Sequence, residues 1–432
     1  MKICFLVDYR SPIARSWIDY FINSQHEVHV ISTHDAMAPA PGPASLHFVR
    51  MGLGSLRSRP GLRRHLAISA GAESSAQRSM PRGAESFLRR VSVNIQYIYN
   101  WIAPYEARLH AARLARMITD LNPDLVHAMR IPFEGILGAR ALASRRIAYL
   151  VSVWGNDFTL HAAKSRPVAT ATRFVMARAD ALHADCERDI DLARKWGLRA
   201  QKLCLLAPGN GGIRADVFHP GRRDEAMMAE WGISPDAMVV INARNFRPRY
   251  VRNDVFFATI PAVLRAFPTT VFLCVGMRGN PIAESWVRQY DVSNAVRLLP
   301  VMRREEMAKL FRLADVAVSP SNHDGTPNTL IEAMASGAFP VAGDIESVRE
   351  WVRSGHNGLL CDPNDVDALT TALVRALRDQ WLRERASVVN QGLIAGRAEY
   401  WQAMRRAEVF YQEVIDSVTL RYGGAQRPGM KS

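Results

Sequence analysis

The chain has no uninterrupted apolar run near the roughly 18 residues that a membrane-spanning helix needs. It has only five cysteines, Cys4, Cys186, Cys204, Cys274 and Cys361, in 432 residues, and no two share a CxxC spacing. Neither a disulfide framework nor a thiolate metal cluster follows from such scatter. Buried free thiols in a reducing compartment are the expectation, and with it a cytoplasmic protein. Acidic residues are in deficit, 41 against 55 basic, which leaves a net charge of +14. Charge of one sign speaks about partners rather than fold. The excess gathers between Arg50 and Arg90, where Arg57, Arg59, Arg63, Arg64, Arg78, Arg82 and Arg89 face only Glu73 and Glu85. No aromatic residue interleaves these arginines before Phe87, and no nucleic-acid reading module is present, which argues against nucleic acid as a partner. Two readings stay open for this stretch: a solvated loop, or a surface that holds the chain at anionic lipid.

What is present is alternation. Hydrophobic residues make up 48% of the chain, enough for packed cores, and its length exceeds what one core usually organises. Short runs rich in Val, Ile and Leu alternate with longer helical patterns, as in βα units stacked on parallel sheets. In the first half the spacing predicts strands over Lys2 to Asp8, Glu27 to Ser32, Leu125 to Ala128, Ala148 to Val153 and Ala181 to His183. In the second half they run over Met238 to Ala243, Thr270 to Gly276, Val296 to Leu299, Val316 to Pro320, Phe339 to Gly343 and Gly358 to Cys361. The start, MKICFLVDYR, reads as the first of these strands rather than a secretory leader, because Asp8 and Arg10 close the run and no small-residue cleavage site follows. The Pro- and Gly-rich stretch Leu206 to Gly221 reads as a hinge. Two Rossmann-like α/β domains are therefore expected, over 1–205 and 238–390. A linker fills 206–237, and a C-terminal segment over 391–432 packs across both domains and frays after Tyr422.

Several apparent motifs carry no chemistry. His26 and His29 in HEVH are three apart on a strand, so they point to opposite faces and share no metal. The Asp-x-Asp strings at Asp189 and Asp365 open helices and read as first-turn charges. Gly209, Gly211 and Gly212 are not followed by a dinucleotide fingerprint.

The stretch Ser319 to Gly337, SPSNHDGTPNTLIEAMASG, differs. A strand end meets a polar loop, an acidic residue, and then a helix opened by Gly325, Thr326, Pro327 and Asn328. Such a helix start leaves backbone N–H groups without partners and suits a phosphate. Asp324 and Glu332 flank that anion site, and acceptor-only carboxylates there grip vicinal hydroxyls. A carboxylate, Gly, a short loop and then Leu-Ile-Glu-Ala-Met-Ala-Ser-Gly resembles the donor-site signature of glycosyltransferase family 4, retaining enzymes of the GT-B fold. The resemblance implies two Rossmann-like domains whose parallel sheets face an interdomain cleft. It also implies transfer of a sugar from a nucleoside-diphosphate donor to a glycan, lipid-linked or small-molecule acceptor, with neither cofactor nor metal. Arg244 and Arg252 would hold the diphosphate, with Arg247 and Arg249 in the same loop as substitutes. Glu332 would bind the ribose, Asp324 the transferred sugar, and the loops at Gly276 with Met277 and at Val301 with Met302 the nucleobase. Glu306 and the segment Gly343, Asp344 and Glu350 also match the pattern.

The first half departs from it twice. Where the family carries a Gly-Gly pair after the first strand, this chain has Tyr9 to Arg15, and Arg15 is the substitute cation. Where the family has His-Gly-x-Asp, this chain has Trp154 in VSVWGNDF, so Asp157 stands as the replacement near the reacting carbon. His127 in PDLVHAM resembles an acceptor-side residue, against the alternative of a satisfied buried histidine. These departures leave two rivals open: a nucleotide-sugar-binding protein without catalysis, and an epimerase or phosphorylase of the same architecture. If the basic stretch places the chain peripherally on a membrane, it should co-sediment with anionic but not neutral liposomes and come off at high salt. Equal, negligible pelleting in every condition would make the stretch a solvated loop.

Overall fold

The computed structural model describes residues 1–34, 45–51, 102, 104–247 and 250–422. Arg249, the tail after Tyr422 and the basic stretch from Arg57 to Arg89 lie outside the described residues. The chain divides into two compact units, Met1–Gly211 with Met404–Ser432, and Gly212–Ala403.

The first unit is built on seven strands, β1 (Lys2–Val7), β2 (Glu27–Ser32), β3 (Ser45–Phe48), β4 (Leu125–Ala128), β5 (Ala148–Val153), β6 (Ala181–Ala184) and β7 (Leu203–Leu206). Their order is β3-β2-β1-β4-β5-β6-β7, and every pairing is parallel. Helices cover both faces of such a sheet, so its central strands are apolar without alternation; β1 reads KICFLV and is buried from its second residue on. The chain winds outward from β1 to β2 and β3, then returns to place β4 on the other side of β1. The crevice at the carboxyl ends of β1 and β4 is thus a topological switch point. The first helix, Pro12–Ile22, starts where Ser11 caps it and Pro12 presets the first turn, and it buries Trp17, Ile18 and Phe21.

Behind these strands runs a buried chain of hydrogen bonds. Trp17 Nε1 donates to the Tyr411 hydroxyl at 2.8 Å, which meets His127 Nδ1 at 2.5 Å. His127 Nε2 meets Ser152 Oγ at 2.7 Å, Ser152 Oγ meets His183 Nδ1 at 2.8 Å, and His183 Nε2 meets the Ala207 carbonyl at 3.0 Å. The two ends fix every proton between them. An indole N–H only donates and a carbonyl only accepts. His183 therefore carries its proton on Nε2, Ser152 donates to His183, His127 carries its proton on Nε2, and Tyr411 donates to His127. Each histidine is neutral with one tautomer, in keeping with burial, which pushes His183 down to about 4 and His127 well below its ordinary value. His127 is thus the satisfied core histidine of the two alternatives, fully enclosed rather than facing an acceptor.

The second unit holds β8 (Val239–Asn242), β9 (Val271–Cys274), β10 (Val296–Leu298), β11 (Val316–Ser319), β12 (Phe339–Gly343) and β13 (Leu359–Cys361). They are parallel, in the order β10-β9-β8-β11-β12-β13, with the switch point between β8 and β11. The stretch expected as a linker contributes to this unit's core instead. Ile213, Phe218, Met228, Ile233 and Ala237 are all buried in it, because apolar side chains spaced along the stretch outweigh its prolines and glycines. The final helix, Tyr400–Tyr422, begins in the second unit and continues in the first from Met404. No helix among the described residues is long and apolar enough to cross a membrane.

The histidine chain makes the first unit acid-sensitive. Both folded-state pKa values lie below the unfolded one, so the unfolded chain takes up protons first and stability falls as pH drops below about 6.5. His183 alone should cost about 2 kcal/mol at pH 5 relative to pH 7.5. Tyr411→Phe at neutral pH leaves His127 Nδ1 and the Trp17 N–H without partners and should cost about 1–3 kcal/mol. Urea unfolding at the two pH values, with and without Tyr411→Phe, checks both; an unchanged midpoint would show that the chain contributes nothing.

Candidate active site

A cluster of polar side chains in the second unit gathers at the carboxyl ends of β8 and β11. Asn242 ends β8 and is fully buried; its Oδ1 accepts from the Arg244 amide at 3.1 Å, and its Nδ2 donates to Asn253 Oδ1 at 3.0 Å. Asn253 Nδ2 in turn donates to the Asn245 carbonyl at 2.9 Å. This ladder of amides, unexpected from the sequence, holds the loop that carries Arg244. The Arg244 guanidinium forms an ion pair with Asp324 through Nη2, and its Nη1 donates to Thr329 Oγ1 at 3.2 Å. Its Nε is buried without a partner. Asp324 also accepts from the Gly325 amide at 3.0 Å, and the loop is pinned from behind by Ser347, which donates to the Asp324 carbonyl at 2.9 Å, and by Trp351, whose indole donates to Thr326 Oγ1 at 3.0 Å.

The helix Asn328–Ala335 follows. Pro327 occupies its N-cap and supplies no side-chain cap; the Leu330 and Ile331 amides both donate to the Pro327 carbonyl, at 2.9 and 3.2 Å, which leaves the Asn328 and Thr329 amides without an intrahelical partner. Asn328 and Glu332 lie four apart and share a helix face. Asn328 Oδ1 is buried without a partner, an acceptor with nothing to accept. Burial raises the Glu332 carboxyl to about 7, against the pull of Arg304 and Arg244, which favour its charged form. Glu332 is thus a half-buried, desolvated carboxylate and not a solvated first-turn charge.

At the neighbouring strand ends, Gly276 follows β9 with φ of +71°, where a Cβ would collide with Asn245. Val301 follows β10 and is 71% exposed, an uncovered apolar surface beside that turn. Arg252 departs from expectation. Its guanidinium clamps Asp254 at 2.9 and 2.8 Å and donates to Asn364, so its two-point grip is used within the protein and Arg244 is the cation that meets Asp324. The signal was Asp254 two positions on, an acidic residue in the first turn of the helix Asn253–Ala266. Glu306 closes a capping box, accepting from the Arg303 amide at 2.8 Å, and Asp344 is clamped by Arg349 at 2.6 and 3.0 Å.

In the first unit, Arg15 folds back. Its Nε donates to the Tyr9 carbonyl at 2.7 Å and its guanidinium lies 5.2 Å from the Tyr9 ring centroid. Trp154, at the end of β5, is half-buried beneath the Arg130 guanidinium, and its Nε1 has no partner. Asp157 does not stand in for the missing histidine. Its side chain is fully enclosed, and its oxygens face the amides of Trp154 and Ile131 and the Arg130 guanidinium, at 3.3, 3.4 and 3.5 Å. That geometry makes it the scaffold of the loop. Asp189 is likewise no first-turn surface charge: it is buried, accepts from the Gly155 amide at 2.9 Å and pairs with Arg188 at 2.8 Å.

Two family descriptions match the chain. Residues 237–379 match the family described as glycosyl transferases group 1, and residues 12–209 match the glycosyl transferase 4-like domain. A D-inositol 3-phosphate glycosyltransferase 1 of Catenulispora acidiphila is 26% identical over 71% of this chain and 74% of its own length. The corresponding protein of Streptomyces bingchenggensis is 26% identical over 49% of this chain, which spans about half, 48%, of that relative's length. Among solved structures, a sucrose-phosphate synthase of Thermosynechococcus elongatus superimposes with a TM-score of 0.70 at 15% identity, over 96% of this chain and 100% of that one. HepE of Anabaena in complex with UDP gives 0.69 at 14% identity over the same shares. At such identities the structural likeness speaks for the fold, and the matched families speak for the chemistry. The chain is a glycosyltransferase of the family 4 type, built on the GT-B fold.

Proposed function

We propose that this glycosyltransferase uses a nucleoside-diphosphate sugar as donor, retains the anomeric configuration and needs no metal. The observation that carries the reading is the placement of one buried arginine, one carboxylate and an uncapped helix start around a single point. Arg244 with its spare Nε, and the uncapped start of the helix Asn328–Ala335, supply positive potential where a diphosphate would sit, and charge on the departing diphosphate is what such a reaction must stabilise. Glu332, on the same helix, takes the ribose hydroxyls, and Asp324 takes the transferred sugar once an incoming phosphate competes for Arg244. The nucleobase lies toward Gly276 and Val301. In two structures of HepE the bound molecules are UDP and UDP-glucose, a donor of this class. Retention follows from same-face attack, with the leaving phosphate accepting the acceptor's proton. A nucleotide-sugar-binding protein without catalysis is the competing reading, favoured by the enclosure of Asp157. Incubation with a panel of nucleotide sugars, with and without acceptor glycans, separates transfer from binding.

Donor affinity should depend on pH through Glu332. With its carboxyl titrating at about 7, the ionised acceptor is lost as pH falls, so the dissociation constant should rise about tenfold between pH 8 and pH 6. Titration calorimetry checks this, and Glu332→Gln should remove the dependence along with much of the affinity. Asp324→Ala should act on turnover more than on donor affinity, by about a hundredfold. Wild-type kinetics in both variants would remove the donor site from this loop.

Activity should survive chelation, since Arg244 and the helix start carry the cationic duty. Loss with chelator and recovery with manganese would reassign that duty to a metal.

A further inference from the structure

The outer edge of the first sheet carries two histidines, each with a ring nitrogen that nothing in the chain uses. β2 and β3 pair in parallel, Ser45 beside His29 and His47 beside Ile31, so His29 and His47 stand diagonally across neighbouring strands. Side chains two apart on a strand share a face. Ile31 and Val49, each two residues beyond one of the histidines, lie in the same apolar cluster, which puts both imidazoles on one face of the sheet. Their ring centroids are 5.8 Å apart. We propose that His29 and His47 form a binding site for a borderline divalent cation, zinc foremost, with water completing the coordination. The pair belongs to the first unit and takes no part in the grip around Arg244, so the site stands independently of the donor reading above.

His29 is 8% exposed, and its Nε2 meets Glu27 Oε1 at 3.0 Å. A carboxylate only accepts, so the ring proton sits on Nε2 and Nδ1 keeps its lone pair. That Nδ1 is buried without a partner, and so is Nε2 of His47. A buried polar atom left unpaired costs stability, and one cation bonded to both nitrogens removes the cost at two places. The carboxylate behind His29 is the arrangement that metal-binding histidines use: it fixes the tautomer, orients the ring and makes the ligating nitrogen more basic. Glu27 is itself held by Lys2 Nζ at 2.9 Å, which balances its charge from the side away from the rings. The spacing also fits. With Zn–N bonds of about 2.0–2.1 Å, two imidazoles on one zinc place their ring centres roughly 5–6 Å apart.

The ligand type selects the ion. Imidazole suits zinc, copper and nickel, whereas magnesium and calcium take oxygen ligands. A ligating histidine must be neutral, and burial together with the neighbouring His29 lowers the His47 pKa, so its ring is uncharged at neutral pH. A cation held there joins the edge strand β3 to β2 by a bond stronger than the ladder between them.

Calorimetric titration of the full, metal-stripped and tag-free chain with Zn²⁺, and pulsed EPR of the same chain with one equivalent of Cu²⁺, test the site. Zn²⁺ should bind and raise the melting temperature, and the copper spectrum should count two imidazole ligands on the metal. Glu27→Gln, which removes only the orienting carboxylate, should weaken zinc binding about 10–100-fold. His47→Ala should weaken it further and reduce the copper count to a single imidazole. His219→Ala takes away an exposed histidine of the second unit and should change neither readout. One imidazole or none on copper in the unaltered chain overturns the site, and that count needs no variant to fold. Zinc affinity unmoved by His47→Ala or by Glu27→Gln, or lost with His219→Ala, overturns it as well. No arm reads sugar transfer, so a failure here leaves the donor site untouched.

Discussion

The ion pair between Arg244 and Asp324 is the contact on which the candidate site depends. Both side chains are largely out of water, 8% and 15% exposed, and two such charges are tolerable only when each finds its partner and further hydrogen bonds. Thr329 and the Gly325 amide provide those, but the Arg244 Nε is left over. The pair therefore balances its charges while one donor remains unused. In the proposed function, an anion entering at the helix start supplies the missing acceptor and, by competing for the guanidinium, releases the carboxylate toward whatever the anion is attached to, so that binding the charged handle and arming the sugar-facing group become one event.

Much of the frame was legible because parallel strands leave a plain trace. Runs such as Leu125 to Ala128, Ala148 to Val153 and Phe339 to Gly343 are mostly apolar and buried throughout, and their bounds coincide with β4, β5 and β12. β3 escaped notice because four partly exposed residues at a sheet edge carry little hydrophobic signal. β7 escaped because its apolar residues run straight into the Pro- and Gly-rich stretch taken as a hinge. At the candidate site, the loop from Asp324 to Asn328 and the position of Glu332 were legible from residue type and spacing alone. Three details were not. Whether Arg252 faces a ligand depends on Asp254 and on Asn364, which is 112 positions away. Whether Asp157 reaches solvent depends on Ile131 and Arg130, on a different strand end. The amide ladder from Asn242 to Asn253 has no motif of its own.

The buried histidines teach the same lesson from the other side. A histidine at a strand end among polar neighbours looks catalytic, and His127 resembles a family residue. Its enclosure between Tyr411 and Ser152 makes it an alignment element, which one sequence with no contact map does not reveal. Because an indole closes one end of the chain and a carbonyl the other, no proton can enter or leave it. Its contribution is to lock side chains from three strands and two helices in a single arrangement.

Tyr411 lies 284 positions after His127, and the whole second unit is encoded between the two parts of the first. A ribosome delivers the Tyr411 segment after the whole second unit. Until it emerges, Trp17 and His127 have no partner for their inward-facing nitrogens, and the earlier part of the unit must wait in an incomplete form while the intervening unit, whose contacts are all encoded in one stretch, is free to finish first. The order of assembly is thereby inverted relative to the order of synthesis, and a helix made after the second unit is the one that completes the first.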